Sequence, residues 1–349
     1  MKIIFATFIL FCFSLSLNAQ LQVIQYKLDN GFTVILNPDK NANTIFGAVA
    51  VNTGSKNDPS DATGISHYLE HLLFKGTKEL GTSDYEKEKI HLDSINFYYD
   101  LLGNTVDDEK REEIQLIINK HSLDASKYAM PNEFDKLLKT IGSTGINATT
   151  SNDLTIYFNE FPSHQIEKWL DIYTHRFQDP VFRSFQSELE VVYEEKNRAM
   201  DDMQRRLFTE FSKEFYKGHP YGDKGTLGTI EHLKNPSLTK MYQYFKEYYI
   251  ANNMCLILTG NFDVETVKPL IQSKFGQLKA GNIPKNTIAE PYKIIGRIVK
   301  NKRLTPIKVG LMGFRTVPGG HEDELTLDVV NYLLQNESGT GLVLSLIHI

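Results

Sequence analysis

His67, Glu70 and His71 are the residues whose types and spacing could do chemistry, in the order His67-Tyr68-Leu69-Glu70-His71. On a helix the two histidines stand one turn apart on a shared face, so both imidazoles can bind one Zn²⁺ at ~2.0–2.1 Å. Glu70 falls on the same side and can take a proton from a water held by that ion, whose pKa zinc lowers to ~7. Chance supplies roughly 0.02 such HxxEH matches in a chain of this composition. The bland alternative is a pair of histidines that merely pack or hydrogen-bond on a helix.

A hydrolytic zinc site needs a third protein ligand and an open fourth position. Within Phe185 to Met203, which reads as a helix, Glu188 and Glu195 lie about two turns apart and point the same way, whereas Glu190 and Glu194 sit off that line. The pair could serve one site, one carboxylate on the metal and the other orienting a histidine N–H. Taken alone, it reads first as a solvated acidic face. His91, His121, His164, His175, His219 and His232 lack partners at ligand spacing and read as surface or structural residues.

These residues need elements to position them. Val23 to Leu28, the Asp29-Asn30-Gly31 turn and Phe32 to Leu36 read as a β-hairpin, and Thr44 to Val51 as a further strand. Ser66 to Phe74 has helical spacing, with Ser66 as cap. From Asp84 to about His121 a charged segment reads as a helical hairpin reversing at Gly103-Asn104. Its apolar faces are Ile90, Ile95, Tyr98 and Leu102 on one arm and Ile114, Ile117 and Ile118 on the other. Gly142 to Asn152 reads as a polar loop before the strand Leu154 to Phe158. His164 to Arg176 reads as an amphipathic helix, Met254 to Thr259 as a buried strand, and Lys308 to Phe314 as a strand opening a second domain. Hairpin-grouped strands with helices between them predict an α+β fold with mostly antiparallel sheet.

Composition agrees with a globular chain: 349 residues, 41% hydrophobic, 23% charged. A net charge of -5 without a basic stripe argues against nucleic acid as a partner. Met1 to Ala19, a lysine followed by an apolar run and a small-residue site, reads as an export signal too short to span a bilayer. Its removal takes Cys12 away and leaves Cys255 alone, so no internal disulfide is expected and a bacterial periplasmic or secreted location is. No stable membrane span is expected afterwards.

The segment Gly64-Ile65-Ser66-His67-Tyr68-Leu69-Glu70-His71-Leu72-Leu73-Phe74-Lys75-Gly76-Thr77 resembles the pitrilysin/insulinase family of zinc peptidases, which includes mitochondrial processing peptidase. The resemblance, running from about residue 25 onward, implies one Zn²⁺ held by His67, His71 and Glu195, with Glu70 as base and Glu188 as the supporting carboxylate. It also implies that Gly145 to Ser151, containing Asn147, Ala148 and Thr149, forms an edge strand that pairs with the substrate backbone. Gly218-His219-Pro220-Tyr221-Gly222 and Asn252-Asn253-Met254 match as structural marks.

Two departures stand out. His71 and Glu195 are farther apart than is usual, the surplus lying in the helical hairpin, as in exported members of a Bacteroidetes type; such an insertion is tolerable where its ends are close. The chain also stops soon after a second domain would begin, so the family's substrate-binding Arg and Tyr from an opposite half are absent. The expected organisation is a signal peptide at 1–19, a catalytic zinc domain at 21–280, a linker at 281–295 and a truncated related domain at 296–349. The expected function is a zinc metalloendopeptidase acting on extended peptides or small unfolded proteins, completed by a missing C-terminal half or partner subunit. The alternative is a non-catalytic partner subunit or substrate-binding scaffold of the same family.

Overall fold

The computed structural model describes residues 23–285, 290, 292–304, 308 and 310–335. The predicted export segment therefore lies outside the described residues. The chain divides into two compact units at Leu304.

In the first unit Asn30-Gly31 makes the expected reversal, with Gly31 at φ +80° where a Cβ would be strained. It joins β1 (Ile24–Lys27) to β2 (Thr33–Pro38), and β3 (Thr44–Val51) follows. With β4 (Thr144–Thr150), β5 (Thr155–Pro162) and β6 (Met254–Gly260) these form a six-stranded sheet of order β1-β2-β6-β3-β5-β4. Every pairing is antiparallel except β2 with β6. The protein is thus α+β with a mostly antiparallel sheet, as expected.

Side chains alternate along β5 and β6, so Tyr157, Phe161, Leu256 and Leu258 all face the core. At the sheet's centre Gly47 leaves room for Trp169, whose indole ring would lie 2.5 Å from a Cβ there. Trp169 stacks on Phe161 and donates its indole N–H to Asn159.

The longer helices are α1 (Ile65–Leu72), α2 (Tyr85–Gly103), α3 (Asp108–Ser126), α4 (Glu133–Thr140), α5 (Ile166–Gln178) and α6 (Phe185–Asp201). They continue with α7 (Met203–Phe215), α8 (Leu238–Tyr248) and α9 (Val264–Phe275). Helices α2 and α3 are the predicted helical hairpin, turning at Asn104 as expected and running on to Ser126. One arm's face differs from the prediction: Ile90 is 65% exposed, and Tyr99 is buried beside Ile95 and Leu102. Tyr99 packs edge-on to Phe185 of α6, which sets the rotation of α2.

The segment Phe185 to Met203, expected as one helix, stops at Asp201. Asp202 is extended and its carboxylate caps α7 by accepting from the Arg205 N–H. Ser66 is not the cap of α1. Gly64, left-handed at φ +89°, holds that place, and the buried Asp58 carboxylate accepts from the N–H groups of Gly64 and Ser66. Burial pushes Asp58 up to about 7, against those hydrogen bonds.

A buried ion pair ties the hairpin to the rest. Arg183 donates through Nε to both Glu88 oxygens, at 2.9 and 2.8 Å, and through Nη1 to the Leu80 carbonyl at 3.0 Å. It thereby joins α2, the connection after α1 and the approach to α6. Glu88→Gln leaves the guanidinium buried without its counterion and should cost about 3–5 kcal/mol in denaturant unfolding. Glu88→Leu combined with Arg183→Met should recover much of that loss.

In the second unit, helix α10 (Glu324–Gln335) is the regular element among the described residues. The strand expected over Lys308 to Phe314 is not formed there: Lys308 and Gly310 to Phe314 are without regular structure. A strand requires a paired neighbour for its N–H and C=O groups, and the described residues of this unit offer none.

Candidate metal centre

Helix α1 carries His67 and His71 on one face, with ring centroids 4.8 Å apart. Helix α6 packs against α1 and brings Glu195 to the same place. Its Oε2 lies 3.5 Å from His67 Nε2 and 3.7 Å from His71 Nε2, and the three donor groups fall within 4.8 Å of one another. Three ligands each ~2.1 Å from a tetrahedral ion would stand about 3.4 Å apart, so this two-His, one-carboxylate set fits Zn²⁺ in both chemistry and spacing.

Glu188, two turns earlier on α6, faces the other side of His71, its Oε2 3.4 Å from Nδ1. A proton on Nδ1 leaves the Nε2 lone pair directed towards Glu195. Lys75 Nζ lies 2.5 Å from the other Glu188 oxygen. Burial alone would raise Glu188, but the hydrogen bonds with His71 and Lys75 outweigh it and hold the carboxyl below its ordinary range. Burial likewise opposes protonation of His71, yet Glu188, Glu195 and Glu70 together raise its pKa. His67 has no such carboxylate behind it. Burial, and then the charge of His71, lower it to about 4, and its Nδ1 is buried without a hydrogen-bond partner among the described residues.

Glu70 points from α1 towards the sheet and is 7% exposed. Burial raises its pKa, and the Thr150 hydroxyl, which donates to Oε2, partly offsets this. Thr150 ends β4, so one hydrogen bond joins the carboxylate to the edge strand. Local composition assigned Gly142 to Asn152 to a loop, whereas the family resemblance implied an edge strand over Gly145 to Ser151. The structure makes β4 of it, paired with β5 alone, and Asn147 and Thr149 are exposed while Ala148 is half-buried. The Asn147 carboxamide accepts from the Ala148 N–H at 2.9 Å.

Beneath the site lies a residue that nothing in the sequence singled out. Arg176 of α5 is 1% exposed, and none of its side-chain nitrogens has a hydrogen-bond partner among the described residues. Its guanidinium sits 4.3 Å from the ring centres of Phe74 and Phe134, 4.9 Å from Tyr173 and 5.0 Å from Tyr157. Four π faces replace the missing acceptors. A cavity of about 830 Å³ lies elsewhere, among residues of α2, the 177–187 segment and α8, and none of the three convergent donors lines it.

The profile of the insulinase peptidases (peptidase family M16) matches residues 33–92 and 117–228, and that of the peptidase M16 inactive domain matches 237–347. The chain belongs to the pitrilysin/insulinase family. The stretch that the insulinase profile passes over, 93–116, is the middle of the α2–α3 hairpin, so the hairpin is extended there relative to the family profile. Among named relatives, a zinc protease of Helicobacter pylori, PqqE, is 25% identical over 88% of this chain and 60% of its own. The chain therefore spans under two thirds of that relative's length.

Solved structures of the same fold include pitrilysin, 22% identical with a TM-score of 0.58 over 79% of this chain and 25% of its own. The periplasmic protease PqqL from Escherichia coli is 19% identical with a TM-score of 0.59, over 78% of this chain and 25% of its own. Among the described residues no helix is long and apolar enough to cross a membrane.

Proposed function

We propose that this chain is the active-site half of a zinc-dependent metalloendopeptidase that hydrolyses extended peptides or small unfolded proteins. The observation that carries the proposal is the convergence of His67, His71 and Glu195 from two helices, with Glu70 alongside and buried. In this reading the three residues hold one Zn²⁺ per chain. When bound, zinc supplies a Lewis acid that polarises the scissile carbonyl and makes water more acidic. Glu70 accepts the proton from the attacking water and passes it to the leaving amine. Thr150 keeps the Glu70 carboxylate turned towards the edge strand.

The extended substrate lies along β4 and pairs through its backbone with Asn147, Ala148 and Thr149. To receive a substrate carbonyl at Ala148, the Asn147 side chain turns away from the N–H it now occupies. While no substrate is present that contact covers part of the open sheet edge, which would otherwise invite unwanted pairing. The family and the matched lengths support a second half, covalent or separate, that completes the substrate chamber. The periplasmic neighbour and the apolar leader support an exported enzyme.

Zinc-loaded full-length protein should cleave a quenched extended peptide, and chelation should abolish cleavage until zinc is restored. Zinc bound by His67, His71 and Glu195 with no cleavage would favour the scaffold reading. Glu188→Gln should leave the three ligands in place but weaken the hold on His71, lowering zinc affinity about 10–100-fold in a chelator competition.

A further inference from the structure

We propose that His91 and His121, facing each other across the helical hairpin, form a second zinc site that clips the two helices together. His91 lies in the second turn of α2 and His121 near the end of α3, so the pair brackets the stretch that the insulinase profile passes over. Their Nδ1 atoms are 3.2 Å apart, with ring centroids at 5.5 Å. Two imidazoles on a tetrahedral ion at ~2.05 Å would place their nitrogens about 3.3 Å apart, whereas neighbouring ligands of a square-planar ion would lie about 2.8 Å apart. The observed spacing can accommodate a tetrahedral ion such as zinc.

The rings are also held in orientation. His91 stacks on Tyr128 with planes 16° apart, and His121 on Tyr98 with planes 21° apart. For both Nδ1 atoms to bind one ion, the proton between them must move to Nε2 of the ring that carries it, and the two lone pairs must turn towards a common point. Burial, and then the charge of His91, depress the pKa of His121, which favours the neutral imidazole that a metal requires. Asp124, three residues beyond His121, is the carboxylate whose charge reaches both rings. Its Oδ1 now holds Lys127 at 2.6 Å, so it would have to release that contact to reach an ion, and water is the candidate for the remaining positions.

A clip here acts on the hairpin where it meets the rest of the protein. Asn119 of α3 accepts from the Gln186 side-chain amide of α6 at 2.7 Å, and Ser122 lies 3.5 Å from the Gln186 oxygen. The clipped end thus adjoins the helix that carries Glu195. Metal-free full chain titrated with Zn²⁺ alone, with bound zinc measured after equilibrium dialysis, tests the assignment. The wild type should bind two ions, the second more weakly, and His91→Ala and His121→Ala should each bind one. His71→Ala should also retain one, and zinc should raise its melting temperature but not that of His71→Ala/His121→Ala. Two ions retained in either hairpin variant, or a single wild-type ion that His71→Ala abolishes, would overturn the proposal and leave an ordinary N–H···N hydrogen bond.

Discussion

Glu70→Gln should bind zinc as the wild type does and lose about 10²–10⁴-fold in turnover of an extended peptide. The substitution is nearly isosteric, and the Gln carbonyl can still accept from the Thr150 hydroxyl, so the contact between α1 and β4 survives. What disappears is the group that takes a proton. Because Glu70 is 7% exposed, water cannot readily substitute for it as base. Zinc analysis and single-turnover assays on the same preparation separate the two functions, and hydrolysis at wild-type rate in the zinc-loaded variant would refute the role of base. Thr150→Val offers a graded companion with a smaller fall in kcat.

His67, Glu70 and His71 could be read as one unit from the sequence because their relation is local. Helical periodicity alone puts one turn between the histidines, and α1 formed where spacing required it. Glu188 and Glu195 were legible only as a pair on one face, since which of them meets the Nε2 atoms of both imidazoles depends on how α6 docks on α1. That docking depends on contacts such as Phe185 against Tyr68 and Tyr99, distant in sequence.

The cap of α1 was misread for a related reason. A serine at the helix start is the local expectation, but Asp58, reaching back from a preceding loop, took both N–H groups. The edge strand β4 looked like a loop because Thr, Asn and Gly are what a strand exposed along one edge can tolerate, and period-two burial is weak there. Arg176 was invisible, since a basic residue on an amphipathic helix ordinarily lies in water. Only the assembled cage of Phe74, Phe134, Tyr157 and Tyr173 reveals it as buried.

Glu195→Gln should release the catalytic zinc. The change removes the anionic donor that approaches both imidazoles while leaving α6 its packing, because the Glu195 side chain is 36% exposed and the helix is anchored through Phe185 and Val192. Removing a residue that only orients a ligand costs 10–100-fold in affinity, so losing a ligand should cost at least about 100-fold. The consequence reaches stability by mass action. Zinc at ~1,000 times its dissociation constant stabilises a folded protein by ~4.1 kcal/mol, and a hundredfold weaker site keeps only about 1.4 kcal/mol at the same concentration. In a hairpin-silenced His121→Ala background, thermal unfolding with and without zinc should therefore show a large shift for Glu195 and a small one for Gln. An undiminished shift in the variant would mean that the third ligand comes from elsewhere. Glu188, already within 3.4 Å of His71, would be the first residue to examine.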